Sequence, residues 1–362
     1  MRTDRLEQWA RLLVRYAIRV RRGSTVKVRG TLEARPLIHA VLAELVRAGA
    51  HPRVSVTLPE AVHTFCTLGT REQLGHCSPI DLHEARRLDG IITIKSEANT
   101  REMSGIAPEK QVWMAKAARR LNEAIARKDN WTLTLYPTAA YAQDADMAVA
   151  DFEAFVARAM FLDCEDPVRH WQQQGRRQDK LARRLMQTRM VRITGRDTDL
   201  TFGIAGRTAV NDDGRRNLPG GEVFTAPAES SAEGHIAYSY PVAAYGREIT
   251  DIRCEFKRGI LVKASAGKHS EFLNRMLDMD AGARRLGEFG IGMNNGVTRF
   301  SRNILFDEKM GGTIHLAVGR SYPQCGGRNR SALHWDMIKD LRDGGALYFD
   351  GALVQKDGRF VV

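Results

Sequence analysis

Short strand-like runs alternate with helix-length segments through the first half of the chain, and this alternation restricts the fold more than any other feature. Apolar periodicity near 3.6 residues predicts helices over residues 4–22, 36–48, 108–127 and 148–162. The strand-like runs between them are TVKVRG (25–30), HPRVSVTL (51–58), GIITIKSE (90–97) and WTLTLYPT (131–138). Strand, helix and strand joined by short loops form right-handed βαβ units. The first half is therefore predicted to be an α/β domain with a doubly wound, mostly parallel sheet.

The second half has a different pattern. A polar helix is predicted over residues 171–188, and from residue 190 short β runs are separated by Gly- and Asp-rich turns. This pattern indicates an α+β domain with a curved antiparallel sheet and one helix near residues 270–284. A chain of 362 residues is also too long for one ordinary core. We therefore expect an N-terminal α/β domain over residues 1–165 and a C-terminal metal-binding catalytic domain over residues 166–362.

The composition is typical of a soluble globular protein, with 43% hydrophobic and 27% charged residues. No segment approaches the roughly eighteen apolar residues of a membrane span, so no membrane partner is expected. The arginine-rich N-terminus is interrupted by Asp4 and Glu7, which favours an ordinary first helix over a targeting peptide. The five cysteines are scattered and form no CxxC pair. A disulfide framework is therefore not expected, and the predicted location is cytoplasmic.

The formal net charge of +12 raises the alternative of a non-enzymatic module that binds nucleic acid. The basic residues, however, are spread along the chain and often alternate with acidic ones, as in residues 118–130. No lysine-rich block, zinc finger or aromatic-basic motif is present. Specific binding of nucleic acid is therefore not predicted. Nor does a glycine-rich nucleotide motif follow any predicted strand.

Candidate metal ligands are concentrated in the second half. They lie in the glycine-rich or apolar segments NLPGGEVFTAP, RRLGEFGIGMNNG, GGTIHLAVG and SALHWD, and are Glu222, Glu288, His315, His334 and Asp336. Tyr322 lies between the two histidines, in GRSYP. Carboxylates and neutral imidazoles are the ligands that suit zinc, cobalt and manganese, and several carboxylates together can hold two ions.

The spacing of these residues supports a shared site without requiring one. Side chains alternate along an extended segment, so His334 and Asp336 point to the same side. Glycines before Glu222 and around Glu288 permit tight backbone paths that could direct a carboxylate inward. Taken singly, however, each feature also fits a turn glutamate, a hydrogen-bonded core histidine or a structural His–Asp pair. The residues alone leave both interpretations open.

Long stretches around these motifs closely resemble the thermophilic aminopeptidase family of dinuclear metallopeptidases. They cover residues 36–54, 99–111, 136–147, 165–171, 198–207, 217–227, 282–323 and 326–342. The resemblance implies an enzyme that removes N-terminal amino acids from peptides by attack of a metal-activated water. The substrates would be peptides with a free N-terminus, and the protein would be a homodimer.

The same resemblance implies the roles of the site residues. The family's metal ligands fall on Glu222, Glu288, His315, His334 and Asp336, and its catalytic tyrosine falls on Tyr322. Two divalent metal ions are expected, zinc first, with cobalt, manganese or magnesium as alternatives. Glu222 or Glu288 is also a candidate proton carrier, which makes both candidate catalytic residues. The chain departs from the family in its short segment between the tyrosine and the His-x-Asp pair, and in its basic charge.

An iron(II)-dependent ring-cleaving dioxygenase with the same fold is the alternative function. Two histidines and one carboxylate suit such chemistry, and His315, His334 and Asp336 would provide them. The additional carboxylates of Glu222 and Glu288 favour two metal ions and hydrolysis.

Overall fold

The computed structural model describes residues 1–244 and 247–361. The chain forms two compact units. The first consists of Met1–His170 and Gly214–Pro219, and the second consists of Trp171–Asp213 and Gly220–Val362. The first boundary between the units, between His170 and Trp171, lies five residues after the expected boundary at residue 165. The short segment Gly214–Pro219 belongs to the first unit. The reason is that a strand within this segment pairs with the sheet of that unit.

The strands that the structure describes alternate with helices in the first unit and follow one another in the second. In chain order they are β1 (Thr25–Gly30), β2 (His51–Val56), β3 (Gly90–Lys95), β4 (Trp131–Leu135), β5 (Met190–Gly195), β6 (Thr198–Gly203), β7 (Val210–Asp212), β8 (Asn217–Leu218), β9 (Glu222–Thr225), β10 (Glu233–Ala237), β11 (Val242–Ala244), β12 (Arg247–Ile249), β13 (Arg253–Lys257), β14 (Ile260–Ser265), β15 (Leu286–Gly292), β16 (Thr313–Gly319), β17 (His334–Asp340), β18 (Ala346–Phe349), β19 (Ala352–Lys356) and β20 (Arg359–Phe360).

The α-helices are concentrated before residue 190. They are α1 (Thr3–Arg11), α2 (Arg35–Arg47), α3 (Pro59–Leu68), α4 (Arg71–Leu74), α5 (Pro79–Arg87), α6 (Pro108–Ala126), α7 (Ala139–Asp144), α8 (Val149–Ala159), α9 (Pro167–Gln187), α10 (Ser270–Leu277) and α11 (Ile304–Asp307). Within the part of the chain that the structure describes, no helix combines the length and the apolar character that crossing a bilayer requires.

The sheet of the first unit is parallel, in the order β2-β1-β3-β4-β8. The chain adds β2 on one side of β1 and then β3 and β4 on the other, which is the topology of a doubly wound sheet. Ile91, Ile92 and Ile94 of β3 are all buried, as expected for a central parallel strand. The predicted α/β architecture of this half is confirmed.

The first helix is shorter than the predicted span of residues 4–22. Regular α-helix ends at Arg11, and a π-helical turn follows over Leu12–Ala17. The backbone N–H of Ile18 donates to the carbonyl of Leu13, five residues earlier. This wider turn brings most of the residues from 12 to 17 into the core.

The second unit is built from antiparallel sheets, as predicted. One has the order β14-β13-β10-β6-β5-β18-β19-β20, a second the order β17-β16-β15-β9-β7, and β11 pairs with β12. The helix predicted near residues 270–284 ends at Leu277. The chain turns there because the carboxylate of Asp280 accepts hydrogen bonds from the N–H groups of Gly282 and Ala332.

Candidate metal centre

The five predicted ligands lie on four neighbouring strands of one antiparallel sheet. They are Glu222 on β9, Glu288 on β15, His315 on β16, and His334 and Asp336 on β17. Every residue of β15 and β16 is buried. A glutamate and a histidine inside such strands must have polar partners, because an unpaired charge in an apolar interior is costly. The fold therefore brings all five predicted ligands together.

Small residues face the ligands across the sheet. Glu222 is opposite Gly292, and His334 is opposite Gly319. Glu288 and Asp336 are both opposite Ala317. Residues directly opposite each other lie on the same face of a sheet, so the ligands share one face with glycine and alanine. This leaves space for their longer side chains to converge.

Gly290 shows how tight this space is. It is opposite His315, and a Cβ atom at position 290 would lie 2.0 Å from Nε2 of that histidine. The sequence suggested that the glycines around Glu288, Gly290 among them, could direct its carboxylate inward. The structure shows that the absent side chain of Gly290 also makes room for the imidazole of His315.

Glu288 connects the two histidines. Its Oε1 is 3.6 Å from Nε2 of His315, and its Oε2 is 3.2 Å from Nε2 of His334. Nε2 of His315 is also 3.4 Å from Oε2 of Glu222, and Nε2 of His334 is 3.5 Å from Oδ2 of Asp336. The side chains thus form a continuous chain of acidic and imidazole groups.

Two groups of possible ligands result, each with its ligand atoms within 4.8 Å of one another. One contains Glu222, Glu308 and His315, and the other contains Glu288, His334 and Asp336. Glu308, which directly follows α11, was missed from the sequence. It lies in the turn FDEKMGG, where a glutamate beside an aspartate and a lysine resembles an ordinary solvated charge.

Lys309 is a second residue that the sequence analysis missed. Its side chain has 0% exposure, and its Nζ lies 3.3 Å from Oε1 of Glu222 and 3.8 Å from Oδ2 of Asp212. It also contacts Oε1 of Glu308. Burial alone would lower the pKa of Lys309, but the charges of these carboxylates raise it above its ordinary value. The centre therefore contains a fixed internal cation.

Each histidine is held through its other ring nitrogen. Nδ1 of His315 lies 3.1 Å from the carbonyl oxygen of Glu308, and Nδ1 of His334 lies 2.8 Å from that of Arg320. A protonated Nδ1 donating to a carbonyl leaves Nε2 of a neutral imidazole free to bind a metal ion. Both Nε2 atoms point towards the carboxylates.

Several buried polar atoms of the centre are suited to binding a cation. Among the residues that the structure describes, Nε2 of His315, Oε2 of Glu222 and Oδ1 of Asp336 have no hydrogen-bond partner. Buried polar atoms are nearly always satisfied. Carboxylate oxygens and imidazole nitrogens around one space are ligands for a divalent metal ion. The residues present therefore fit the group that their chemistry implies.

The pKa values of the histidines and glutamates also indicate that the centre favours positive charge. Burial opposes protonation of the histidines, but Glu288 and the neighbouring carboxylates raise the pKa of His315 to about 10 and that of His334 to about 9. Burial would raise the pKa of Glu288, but its contacts with both histidines lower it to about 2. Burial raises the pKa of Glu222 well above its usual range. The acidic groups of the centre therefore favour a positive charge among them.

Tyr322 lies beside the second ligand group, in the segment after β16. Its ring centroid is 5.1 Å from that of His334 and 5.4 Å from that of Phe224. Burial, followed by the charges of Glu288 and Asp336, raises the pKa of its hydroxyl above the usual range. The hydroxyl therefore stays neutral and can donate a hydrogen bond.

A cavity of about 390 Å³ borders His334 and Asp336. Its lining residues include Phe300, Trp335 and Arg320. A cavity with both apolar and polar lining groups is typical of a site for a small ligand.

Comparison with known proteins identifies the family. The family described as thermophilic metalloprotease (M29) matches residues 2–360, which is nearly the whole chain. The chain belongs to this family. This M29 metalloprotease is 28% identical to aminopeptidase T of Thermus thermophilus over 99% of its own length and 98% of the relative's. It is 26% identical to aminopeptidase PepS of Streptococcus thermophilus, over 92% of each chain.

A solved structure shows the same fold. The M29 metalloprotease superimposes on wild-type AmpT from Thermus thermophilus with a TM-score of 0.84 and 25% sequence identity, over 99% of each chain. The resemblance inferred from the sequence is confirmed. The family match and the names of the relatives support metal-dependent peptide hydrolysis and not the dioxygenase alternative.

Proposed function

We propose that this protein is an aminopeptidase that removes N-terminal amino acids from peptides at a centre of two divalent metal ions. The position of Glu288 carries the proposal, because its two oxygens face the histidines of the two ligand groups. A carboxylate in this position could serve as a ligand for both ions of a two-metal centre.

One ion would be held by Glu222, Glu308 and His315, and the other by His334 and Asp336, with Glu288 shared. Zinc is the first expectation, and cobalt, manganese and magnesium are alternatives. When bound, divalent ions would lower the pKa of a bound water towards neutrality and polarise the scissile carbonyl group.

The protein's own residues would perform the remaining steps. The neutral hydroxyl of Tyr322 would donate a hydrogen bond to the oxyanion that forms when water attacks the carbonyl group. Glu288 or Glu222 would accept the proton of the attacking water and pass it to the leaving amine. The acidic centre would attract the positively charged N-terminus of a peptide, and the cavity beside His334 would receive part of the substrate.

The proposal also covers the catalytic domain, the cellular location and the oligomeric state. All predicted site residues lie in the second unit, which supports the C-terminal segment, residues 166–362, as the catalytic domain. We infer a cytoplasmic homodimer that acts on peptides. Its mass by sedimentation should be twice the 40.5 kDa of one chain.

The decisive experiment measures hydrolysis of a panel of amino-acyl p-nitroanilides by chelator-stripped protein, with zinc, cobalt, manganese, magnesium or iron(II) restored in turn. We expect release of p-nitroaniline that requires metal and a free α-amino group. N-acetylated substrates are the matched control and should not be cleaved. Cleavage without any metal, or equal cleavage of acetylated substrates, would contradict the proposal. Oxygen-dependent opening of an aromatic ring, such as that of a dihydroxypyridine, with iron(II) as the metal would support the dioxygenase.

A further inference from the structure

Lys309 is a buried cation, and its ammonium group lies 3.3 Å from Oε1 of Glu222. We propose that Lys309 is a positioning residue, which holds Oε1 of Glu222 and leaves Oε2 as the single oxygen that this glutamate offers to a metal ion beside His315. The inference rests on the proposed metal centre, because it concerns how one ligand of that centre is oriented.

The two oxygens of Glu222 face different neighbours. Oε1 is 3.3 Å from Nζ of Lys309, whereas Oε2 is 3.4 Å from Nε2 of His315. Within the described part of the chain, Oε2 has no hydrogen-bond partner. One oxygen is therefore held by a cation of the protein, and the other remains available on the side of the histidine.

The backbone fixes the position of Lys309. Its N–H donates to the carbonyl of Phe306 at 3.0 Å, and its own carbonyl accepts a hydrogen bond of 2.8 Å from the N–H of Asn294. Its side chain is completely buried and also contacts the carboxylates of Glu308 and Asp212. The ammonium group therefore has a defined place and differs from a flexible surface lysine.

Packing alone does not explain why a charged side chain occupies this buried position. Burying an ammonium group carries a large desolvation cost, and an apolar side chain of similar shape often stabilises a fold as well or better. Two roles of Lys309 predict opposite changes in metal affinity when the lysine is removed. If Lys309 acts only through its charge, its removal strengthens the attraction of the acidic cluster for a metal ion. If it positions Glu222, its removal releases this glutamate from its fixed orientation and weakens metal binding.

The test is the Lys309→Met variant, in which an unbranched apolar side chain, one atom shorter than that of lysine, replaces the ammonium group. Zinc binding to chelator-stripped protein is measured by competition with a chromophoric chelator, and folding by circular dichroism. We expect the variant to bind one ion with the affinity of the unsubstituted protein and the other at least tenfold more weakly. Lys339→Met is the matched control. Lys339 is also buried but donates to the carbonyl of Arg196, so its loss should leave both affinities unchanged.

Unchanged or tighter binding of both ions by Lys309→Met would overturn the inference and leave the proposed function intact. Absence of zinc binding in the unsubstituted protein would overturn the proposed centre and this inference with it. A crystal structure of the unsubstituted, zinc-loaded protein tests the same point if the variant does not fold. We expect Glu222 to bind zinc through Oε2 alone while Oε1 contacts Lys309. Zinc held by both oxygens would refute the positioning role.

Discussion

Glu288 is the residue at which the two ligand groups meet. Its oxygens face His315 and His334 separately, and the contacts with both imidazoles keep its pKa near 2 despite burial. The other carboxylates of the centre each belong to one group. A change at Glu288 should therefore affect both groups, whereas a change elsewhere should affect mainly one.

The Glu288→Gln variant tests this role, because glutamine keeps the shape of the side chain and removes its charge. We expect aminopeptidase activity to fall by at least about a hundredfold, the lower end of the range for losing a catalytic acid or base. The zinc content, measured by atomic emission, should fall to one ion or none. Glu271→Gln, on the exposed side of α10, is the control and should retain both. Full activity of Glu288→Gln would contradict the mechanism.

The hydroxyl of Tyr322 can be examined separately from its ring. Phenylalanine preserves the contacts of the ring with His334 and Phe224. We therefore expect Tyr322→Phe to lower kcat by about a hundredfold, as when an oxyanion donor is lost, while KM and metal content stay unchanged. Steady-state kinetics and metal analysis on the same preparation give both values. A parallel loss of metal would show that the hydroxyl supports the ligands and not the reaction.

At the level of strands, the centre depends on which residues are opposite each other. Gly290, Gly292, Ala317 and Gly319 occupy four of the positions directly opposite the ligands. A larger side chain at one of them should displace a ligand without removing any ligand atom.

Gly290→Ala is the sharpest example. The new Cβ would lie 2.0 Å from Nε2 of His315, far inside van der Waals contact, so the imidazole must move. We expect metal affinity to fall about tenfold or more, measured by chelator competition, with a corresponding loss of activity. Gly195→Ala is the control, because a Cβ at the end of β5 meets its nearest atom at an ordinary 3.5 Å. If the two variants bind metal equally well, Gly290 does not set the position of His315.

Strands β1 to β4 and the helices α1, α2, α6, α8, α9 and α10 could be predicted because their apolar periodicity is local, whereas α3, α4, α5 and α7 were not predicted. The candidate ligands on β9, β15, β16 and β17 stand out as polar residues in glycine-rich or apolar runs, but the family resemblance was needed to interpret them as ligands of a metal centre. Glu308 and Lys309 were not, because they lie in a turn between elements, where charged residues are normally solvated. Only the fold shows that this turn is buried against Glu222.

For the whole molecule, the metal-free centre makes stability depend on pH. His315 and His334 have pKa values of about 10 and about 9, above the ordinary value of about 6.5. Groups with a raised pKa in the folded state stabilise it below their unfolded pKa, and this stabilisation is lost as pH rises through the folded value. The loss leaves the carboxylates of Glu288 and Asp336 without a protonated imidazole beside them.

We therefore expect the melting temperature of chelator-stripped protein to fall by several degrees as the pH is raised from about 7 to about 10. The zinc-loaded protein is the control, because its histidines no longer carry the protons that are lost, so its melting temperature should change less. Thermal unfolding followed by circular dichroism at each pH provides the comparison. Equal decreases with and without zinc would mean that the histidines do not control this dependence.

The short strand β8 limits how this protein can be divided. Residues 214–219 belong to the first unit, yet they interrupt the sequence of the second and end three residues before Glu222. Leu218 is fully buried beside β4, and its carbonyl accepts a hydrogen bond from Thr134. A gene fragment encoding only residues 171–362 would therefore contain the apolar strand β8 without its partner β4, a few residues before Glu222. The half that carries the candidate metal ligands is therefore not an independent folding unit, and recombination between relatives should keep both halves together.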